Sequence, residues 1–295
     1  MKSIRGLIDS AQRRISPLDA EVLLTHALGK SREYLIAHDD KKISLLRAWR
    51  YQLLVLRRRR GTPVAYLTGH KEFFGLDFFV NRHTLVPRPE TETLVECVLE
   101  LLASIGKRLI ADSRWQKTIV IDVGTGSGCI PIAIAKTLEQ KNIKTPRIVA
   151  VDSSKKSLAV ARRNALRHGV DIEFLHGNLL QPFTERLSAN CELIITANLP
   201  YLTPVQYAEE PTIRREPRSA LIGGADGLEY YRELFKQIQY VIQNFPSKTV
   251  HCYCEIDPSQ LSGMTALIKT FLPTATIKIK KDLGGSDRVV CLSTT

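Results

Sequence analysis

From residue 117 onward, short apolar runs alternate with segments of helical period, and this limits the fold more than any other feature of the 295-residue chain. Residues 118–122, 147–152, 172–175, 192–196 and 250–255 read as strands. Helices are expected at 131–140, 155–168, 228–243 and 258–270. Strands that are apolar on both faces and alternate with helices belong in a parallel sheet covered on both sides. Two final runs, 276–280 and 288–292, are joined across Gly284 and Gly285 and add an antiparallel hairpin at one edge. The fold class is therefore α/β.

The first 60 residues carry no strand-like alternation. Leu18, Val22 and Leu23 keep a 3.6-residue period behind Ser16 and Pro17, a helix start, and Leu45, Leu46, Trp49, Leu53 and Leu56 repeat that period. Gly61, Thr62 and Pro63 interrupt it. Short aromatic runs follow, at Tyr66-Leu67, Phe73-Phe74 and 78–80, split by Gly69 and Gly75. They read as a short hairpin. A helix is expected from about Leu94 to Leu102. The organisation expected is a helical domain over 1–61, a hairpin linker over 62–85 and a larger domain over 86–295.

Lys and Arg outnumber Asp and Glu by 42 to 30, a net charge of +12. That excess suits a partner near RNA or the ribosome without requiring direct nucleic-acid binding. Its densest run, Arg57 to Arg60, equally suits the negative end of a helix dipole. Cys97, Cys129, Cys191, Cys252, Cys254 and Cys291 form no C-x-x-C pair and no zinc spacing. With no bilayer-length apolar stretch and no secretory signal, a cytoplasmic protein with reduced thiols, no metal and no membrane contact is expected.

Asp122, Gly124, Thr125, Gly126, Ser127 and Gly128 lie between an expected strand and an expected helix. The spacing is G-x-G-x-G. Position 129 is Cys, so the dinucleotide fingerprint G-x-G-x-x-G is absent, and no G-K-[ST] makes a phosphate loop. Asp152 ends the next strand, where a carboxylate accepts the two hydroxyls of a ribose. A nucleoside lacking a pyrophosphate satisfies both facts, which points to S-adenosylmethionine. In open α/β sheets ligands sit beyond the carboxyl ends of the strands. Asp122, Asp152, Asn178 and Asn198 all fall there, with Asn178 and Leu179 placed to flank the adenine.

Asn198, Leu199, Pro200 and Tyr201 follow the strand ending near Ala197. A planar NH2 group is a poor nucleophile because its lone pair is delocalised. Two acceptors holding its hydrogens orient it and favour charge build-up during attack. The Asn198 side-chain oxygen is one, and the Leu199 carbonyl, kept extended by Pro200, is the other. Tyr201 offers a face for stacking.

These motifs resemble those of the PrmC/HemK protein-glutamine N5-methyltransferases. Residues 86–92, V-P-R-P-E-T-E, are close to that family's I-P-R-P-[DE]-T-E, and segments 18–24, 63–69, 72–75, 122–128, 216–228 and 282–290 are similar to its other signatures. The resemblance implies a Rossmann-like class I methyltransferase sheet that uses S-adenosylmethionine and releases S-adenosylhomocysteine. Its substrate would be the Gly-Gly-Gln glutamine of peptide chain release factors, gripped by the helical domain and hairpin. Gly124, Thr125, Gly126, Ser127, Gly128, Asp152, Asn178, Leu179 and Asn198 would bind cofactor. Asn198, Leu199, Pro200 and Tyr201 would be catalytic. Glu90 and Glu92 read as the acidic start of a helix. One departure stands out: the family reads N-P-P-Y and this chain has Leu199. N-L-P-Y is similar to rRNA adenine-N6 dimethylases, so an adenine-N6 or cytosine-N4 methyltransferase acting on rRNA or DNA is the alternative.

Overall fold

The computed structural model describes residues 2–109, 117–184, 191–245 and 249–294. They form two compact units, Met1–His70 with Glu210–Glu216, and Lys71–Glu209 with Pro217–Thr295.

The smaller unit contains α1 (Ile4–Gln12), α2 (Pro17–Leu28), α3 (Arg32–Ala37), α4 (Leu45–Arg59) and α5 (Val64–Thr68). The start of α2 is where the sequence places it. The Ser16 side chain accepts the Asp19 N–H, and Pro17 occupies the first turn, where its missing N–H costs nothing. The core gathers Leu7, Leu23, Leu24, Tyr51 and Val55. The helical period was readable, but the buried face was not. Leu45, Leu46, Trp49, Leu53 and Leu56 are between 41% and 73% exposed, and Leu18 and Val22 are exposed with them. Tyr51 and Val55, one turn apart, face the core instead, and the Tyr51 hydroxyl donates to the Ala20 carbonyl at 3.1 Å. A helix with two apolar stripes does not announce which of them its neighbours cover. Arg57, Arg58 and Arg59 form the last turn of α4, and Arg58 pairs with Asp19 at 2.7 Å.

Residues 66 and 67 are helical rather than strand-like. Pro63 opens α5, and Gly69, at φ 77°, closes it. The hairpin is therefore short: β1 (His70–Phe73) and β2 (Leu76–Phe79), with Phe74 and Gly75 both at positive φ in the turn. The Phe74 N–H donates to the Glu92 carboxylate at 2.8 Å. Glu92 thus fixes the hairpin tip, beyond the helix-start role read from sequence.

The larger unit continues with α6 (Glu92–Leu109), β3 (Thr118–Val123), α7 (Cys129–Gln140), β4 (Arg147–Asp152), α8 (Lys155–His168), β5 (Glu173–His176) and α9 (Gln181–Thr184). Then come β6 (Glu192–Ala197), α10 (Pro204–Glu209), α11 (Glu229–Asn244), β7 (Val250–Glu255), α12 (Leu261–Phe271), β8 (Thr276–Lys281) and β9 (Asp287–Thr294). The sheet order is β5-β4-β3-β6-β7-β9-β8. The first five strands are parallel, and β9 and β8 are antiparallel, as the sequence indicates. Chain order reverses between β3 and β6, which opens a crevice at their carboxyl ends. Register places Val123 beside both Val151 and Ala197, so the loops that leave these three strands start level with one another.

One buried asparagine ties the hairpin to that crevice. Asn164 on α8 accepts the Phe79 N–H at 2.9 Å and donates to the carbonyls of Phe79 at 3.0 Å and Ser127 at 2.9 Å. All three polar valences of the amide used here are satisfied, which a fully buried side chain requires. Among the described residues, no helix is long and apolar enough to cross a membrane.

Candidate active site

The chain leaves β3 and turns at once. The N–H groups of Gly124 and Thr125 both donate to the Val151 carbonyl, at 2.9 and 3.0 Å. Gly124, Gly126 and Gly128 all adopt positive φ, at 73°, 55° and 79°. A Cβ on Gly124 would meet Leu199 Cδ2 at 3.0 Å, so this glycine admits the loop after β6. A Cβ on Gly126 would meet nothing nearer than the Gly124 carbonyl at 3.9 Å and would project into open space. That space is a cavity over the crevice.

Gly124, Thr125, Gly126, Ser127, Asp152, Asn178, Leu179, Asn198, Leu199 and Pro200 all line it. Gly128 lies behind the wall, where a Cβ would press on Ala161 of α8 at 3.1 Å. Tyr201 also lies outside the lining. Its ring packs against the apolar core, and burial, with the Glu255 carboxylate adding to it, raises the pKa of its hydroxyl. His83, Thr84, Arg88 and Thr91 line it too, none of which the sequence reading placed at the site. Arg88 and Thr91 belong to the proline-flanked segment 86–92, whose spacing says nothing about what it faces; His83 and Thr84 precede it.

Asp152 Oδ2 accepts the Gly126 N–H at 2.9 Å and Oδ1 the Ser154 N–H at 2.7 Å. Burial raises its pKa and these two backbone bonds oppose the rise. Each oxygen keeps a second lone pair for a ligand hydroxyl. Asp122 is 1% exposed, and its Oδ1 accepts the Thr196 hydroxyl at 2.6 Å. Burial dominates there, pushing its pKa up to about 7 against the hydroxyls of Thr125 and Thr196. No lysine or arginine stands on the glycine turn to meet a pyrophosphate. The cradle, the acceptors of Asp152 and the open face at Gly126 fit an uncharged ribose and base.

The tetrapeptide after β6 is held by its backbone. The Leu199 N–H donates to the Tyr231 hydroxyl at 3.3 Å, and that hydroxyl donates to the Glu255 carbonyl. The Tyr201 carbonyl accepts from Gln260 Nε2 at 2.8 Å. The Leu202 N–H donates to Leu221, and the Gly223 N–H returns to Leu202, both at 2.9 Å. Residues 221–227 thus close directly over the tetrapeptide. Asn198 Nδ2 donates to Thr91 Oγ1 at 2.9 Å.

A sheet of this order, with a glycine turn and an acid on adjacent strand ends and Asn-Leu-Pro-Tyr across the switch point, defines a class I methyltransferase. Residues 116–219 match the methyltransferase domain model, and residues 3–69 match the PrmC N-terminal domain model. The fold is similar to the hMettl16 catalytic domain in complex with MAT2A 3′UTR hairpin 1, at TM-score 0.52 and 15% identity, covering 92% of this chain and 90% of that one. The sequence is 34% identical to the release factor glutamine methyltransferase of Bacillus anthracis, over 92% of this chain and 90% of the relative. It is 35% identical to that of Bacillus subtilis, over 92% and 89%, and 39% identical to that of Xylella fastidiosa, over 79% of each. The chain belongs to the release factor glutamine methyltransferase family.

Proposed function

We propose that this chain transfers a methyl group from S-adenosylmethionine to the side-chain N5 of the Gly-Gly-Gln glutamine of peptide chain release factors. The observation that carries the reading is Asn198, set at the switch point beside the glycine turn and held by Thr91. S-adenosylmethionine supplies, when bound, a methyl group on a sulfonium leaving group. The turn from Gly124 to Gly128 and Asp152 hold its nucleoside, and Asn178 and Leu179 flank the base. Asn198 Oδ1 and the Leu199 carbonyl accept the two amide hydrogens. This orients the nitrogen and stabilises the positive charge that develops on it. Pro200 keeps Leu199 extended, and Tyr201 supports the segment from behind. Such a substrate places the reaction in the cytoplasm.

The test is methyl-labelled S-adenosylmethionine with a recombinant release factor, alongside its Gly-Gly-Gln glutamine→Ala variant. Label on the unaltered factor alone is the expected result. The alternative, base methylation on rRNA or DNA, is favoured by Leu199 and the charge of +12. It predicts label on nucleic acid and none on the factor, which would overturn the proposal.

The helical unit is the proposed grip on the protein substrate. Its exposed stripe on α4, Leu45, Leu46, Trp49, Leu53 and Leu56, is the kind of surface a protein partner covers. The double substitution Trp49→Ser and Leu53→Ser is expected to raise KM for the full-length factor about tenfold, as loss of an aromatic anchor does. KM for a short Gly-Gly-Gln peptide should stay unchanged. An equal effect on both substrates would remove the stripe from substrate binding.

A further inference from the structure

Three rotations aim the Leu199 carbonyl. Pro200 restricts the first, ψ of Leu199, to extended values. The second is φ of Leu199. A proline at 199 would lock it through the ring, whereas leucine leaves that bond free. The third is the plane of the peptide between Asn198 and Leu199, which nothing within the tetrapeptide fixes. The last two must be held from outside it.

Leu199 is 3% exposed, so its N–H needs an acceptor inside the protein. That acceptor is the Tyr231 hydroxyl, at 3.3 Å. Tyr231 sits in the first turn of α11 and is fully buried. A phenol carries one proton, and it cannot point at another donor. The Glu255 carbonyl takes it, and the Ala197 carbonyl lies further off at 3.4 Å. The oxygen is thereby left to accept from Leu199. Burial raises the pKa of this hydroxyl well above its ordinary value, with Cys254 and Glu255 adding to the rise, so the proton stays in place.

The sheet register makes this contact possible. Ala197 pairs with Cys254, so β6 and β7 end level and a single hydroxyl reaches both exits. The Leu199 side chain is held as well. Its Cδ2 lies 3.0 Å from where a Cβ on Gly124 would stand, against the glycine turn. With the N–H fixed on one side of the N–Cα bond and the side chain on the other, rotation about φ is blocked.

We propose that Tyr231 is a positioning residue for methyl transfer: its hydroxyl pins the Leu199 N–H and so holds the Leu199 carbonyl toward the methyl-accepting amide, the task a proline ring at 199 would perform. The proposal rests on that carbonyl being the second acceptor for the substrate amide.

The experiment is a double-mutant cycle on the full-length enzyme: wild type, Y231F, L199P and the double variant, with thermal midpoints to verify folding. Phenylalanine keeps the ring and removes only the hydroxyl. Y231F is expected to lower kcat with a release factor about tenfold or more, with KM for S-adenosylmethionine within about twofold. In the L199P background there is no N–H to hold, so the same substitution should change kcat by less than about twofold. A hydroxyl that served only the packing of α11 would give equal losses in both backgrounds. That result, or Y231F within about twofold of the wild-type kcat, would overturn the proposal.

Proline at 199 also withdraws the side chain from Gly124, so a second readout avoids it. Hydrogen exchange at the Leu199 amide, compared with the amides of β6, is measured in wild type and Y231F without substrate. Exchange at Leu199 should accelerate about tenfold more than in β6, because its acceptor is lost while the strand keeps its ladder. Equal acceleration throughout would overturn the anchor. Selective acceleration in an enzyme that labels no release factor would refute the substrate assignment and leave the anchor standing.

Discussion

Asn198→Ala is expected to lower kcat for glutamine methylation by about 10²–10³-fold, the cost of removing one preorganised acceptor from a charge-developing site. The loss should fall on kcat rather than on folding. Asn198 is only half-buried, and among the described residues its side chain makes one hydrogen bond, to Thr91. The strand before it and the loop after it are anchored by backbone bonds that alanine keeps, including Leu199 to Tyr231. Single-turnover methylation with saturating cofactor, paired with calorimetric titration of S-adenosylhomocysteine, separates chemistry from binding. A variant that retains more than about a tenth of the wild-type rate would show that the Leu199 carbonyl alone orients the amide, and Asn198 would lose its assigned role.

What the sequence reveals divides along the distance over which each feature acts. The parallel strands are legible because a strand covered on both faces is a continuous apolar run, and each lies within one residue or so of its expected bounds. The glycine turn is legible for the same local reason: G-x-G-x-G between a strand and a helix has few other uses. The buried face of α4 is not legible, because period reports amphipathicity and not the identity of the neighbour. Tyr201 lies adjacent to Pro200 yet falls outside the cavity lining, because its ring packs against the apolar core. Thr91, Gln260 and Glu255 were invisible as parts of the site. Each acts on residues 198–201 from far along the chain, and nothing local to a lone Thr, Gln or Glu announces such a partner. Leu199, the departure from N-P-P-Y, becomes intelligible only in space. Its side chain fills the gap that Gly124 leaves, and its N–H, which proline lacks, meets Tyr231.

Gly223→Ala should do damage of similar size by a different route. A Cβ there would lie 2.2 Å from the Pro200 carbonyl oxygen, 2.6 Å from the Gly227 oxygen and 2.9 Å from the Pro200 carbonyl carbon. All three are backbone atoms, so no side chain can swing aside. Nor can the loop retreat cheaply, because the Gly223 N–H is bonded to Leu202 at 2.9 Å and its carbonyl accepts the Glu229 N–H at 3.0 Å. The tetrapeptide must move, and displacement of about 1 Å at a reacting centre costs about 10²-fold in rate. Overpacking adds roughly 1–3 kcal/mol of destabilisation, read as a lower thermal midpoint. Gly285→Ala is the control. Gly285 sits at φ 81° with nothing within 4 Å of its Cβ position, so the substitution strains the backbone of the β8–β9 turn without crowding any neighbour. It should lower the thermal midpoint and leave kcat untouched. If Gly223→Ala instead behaved like that control, losing stability but not rate, the closure of residues 221–227 over the tetrapeptide would be packing alone. Placement of the methyl-accepting amide would then have to come entirely from the β6 side, through Asn198, Thr91 and the Tyr231 hydroxyl beneath Leu199.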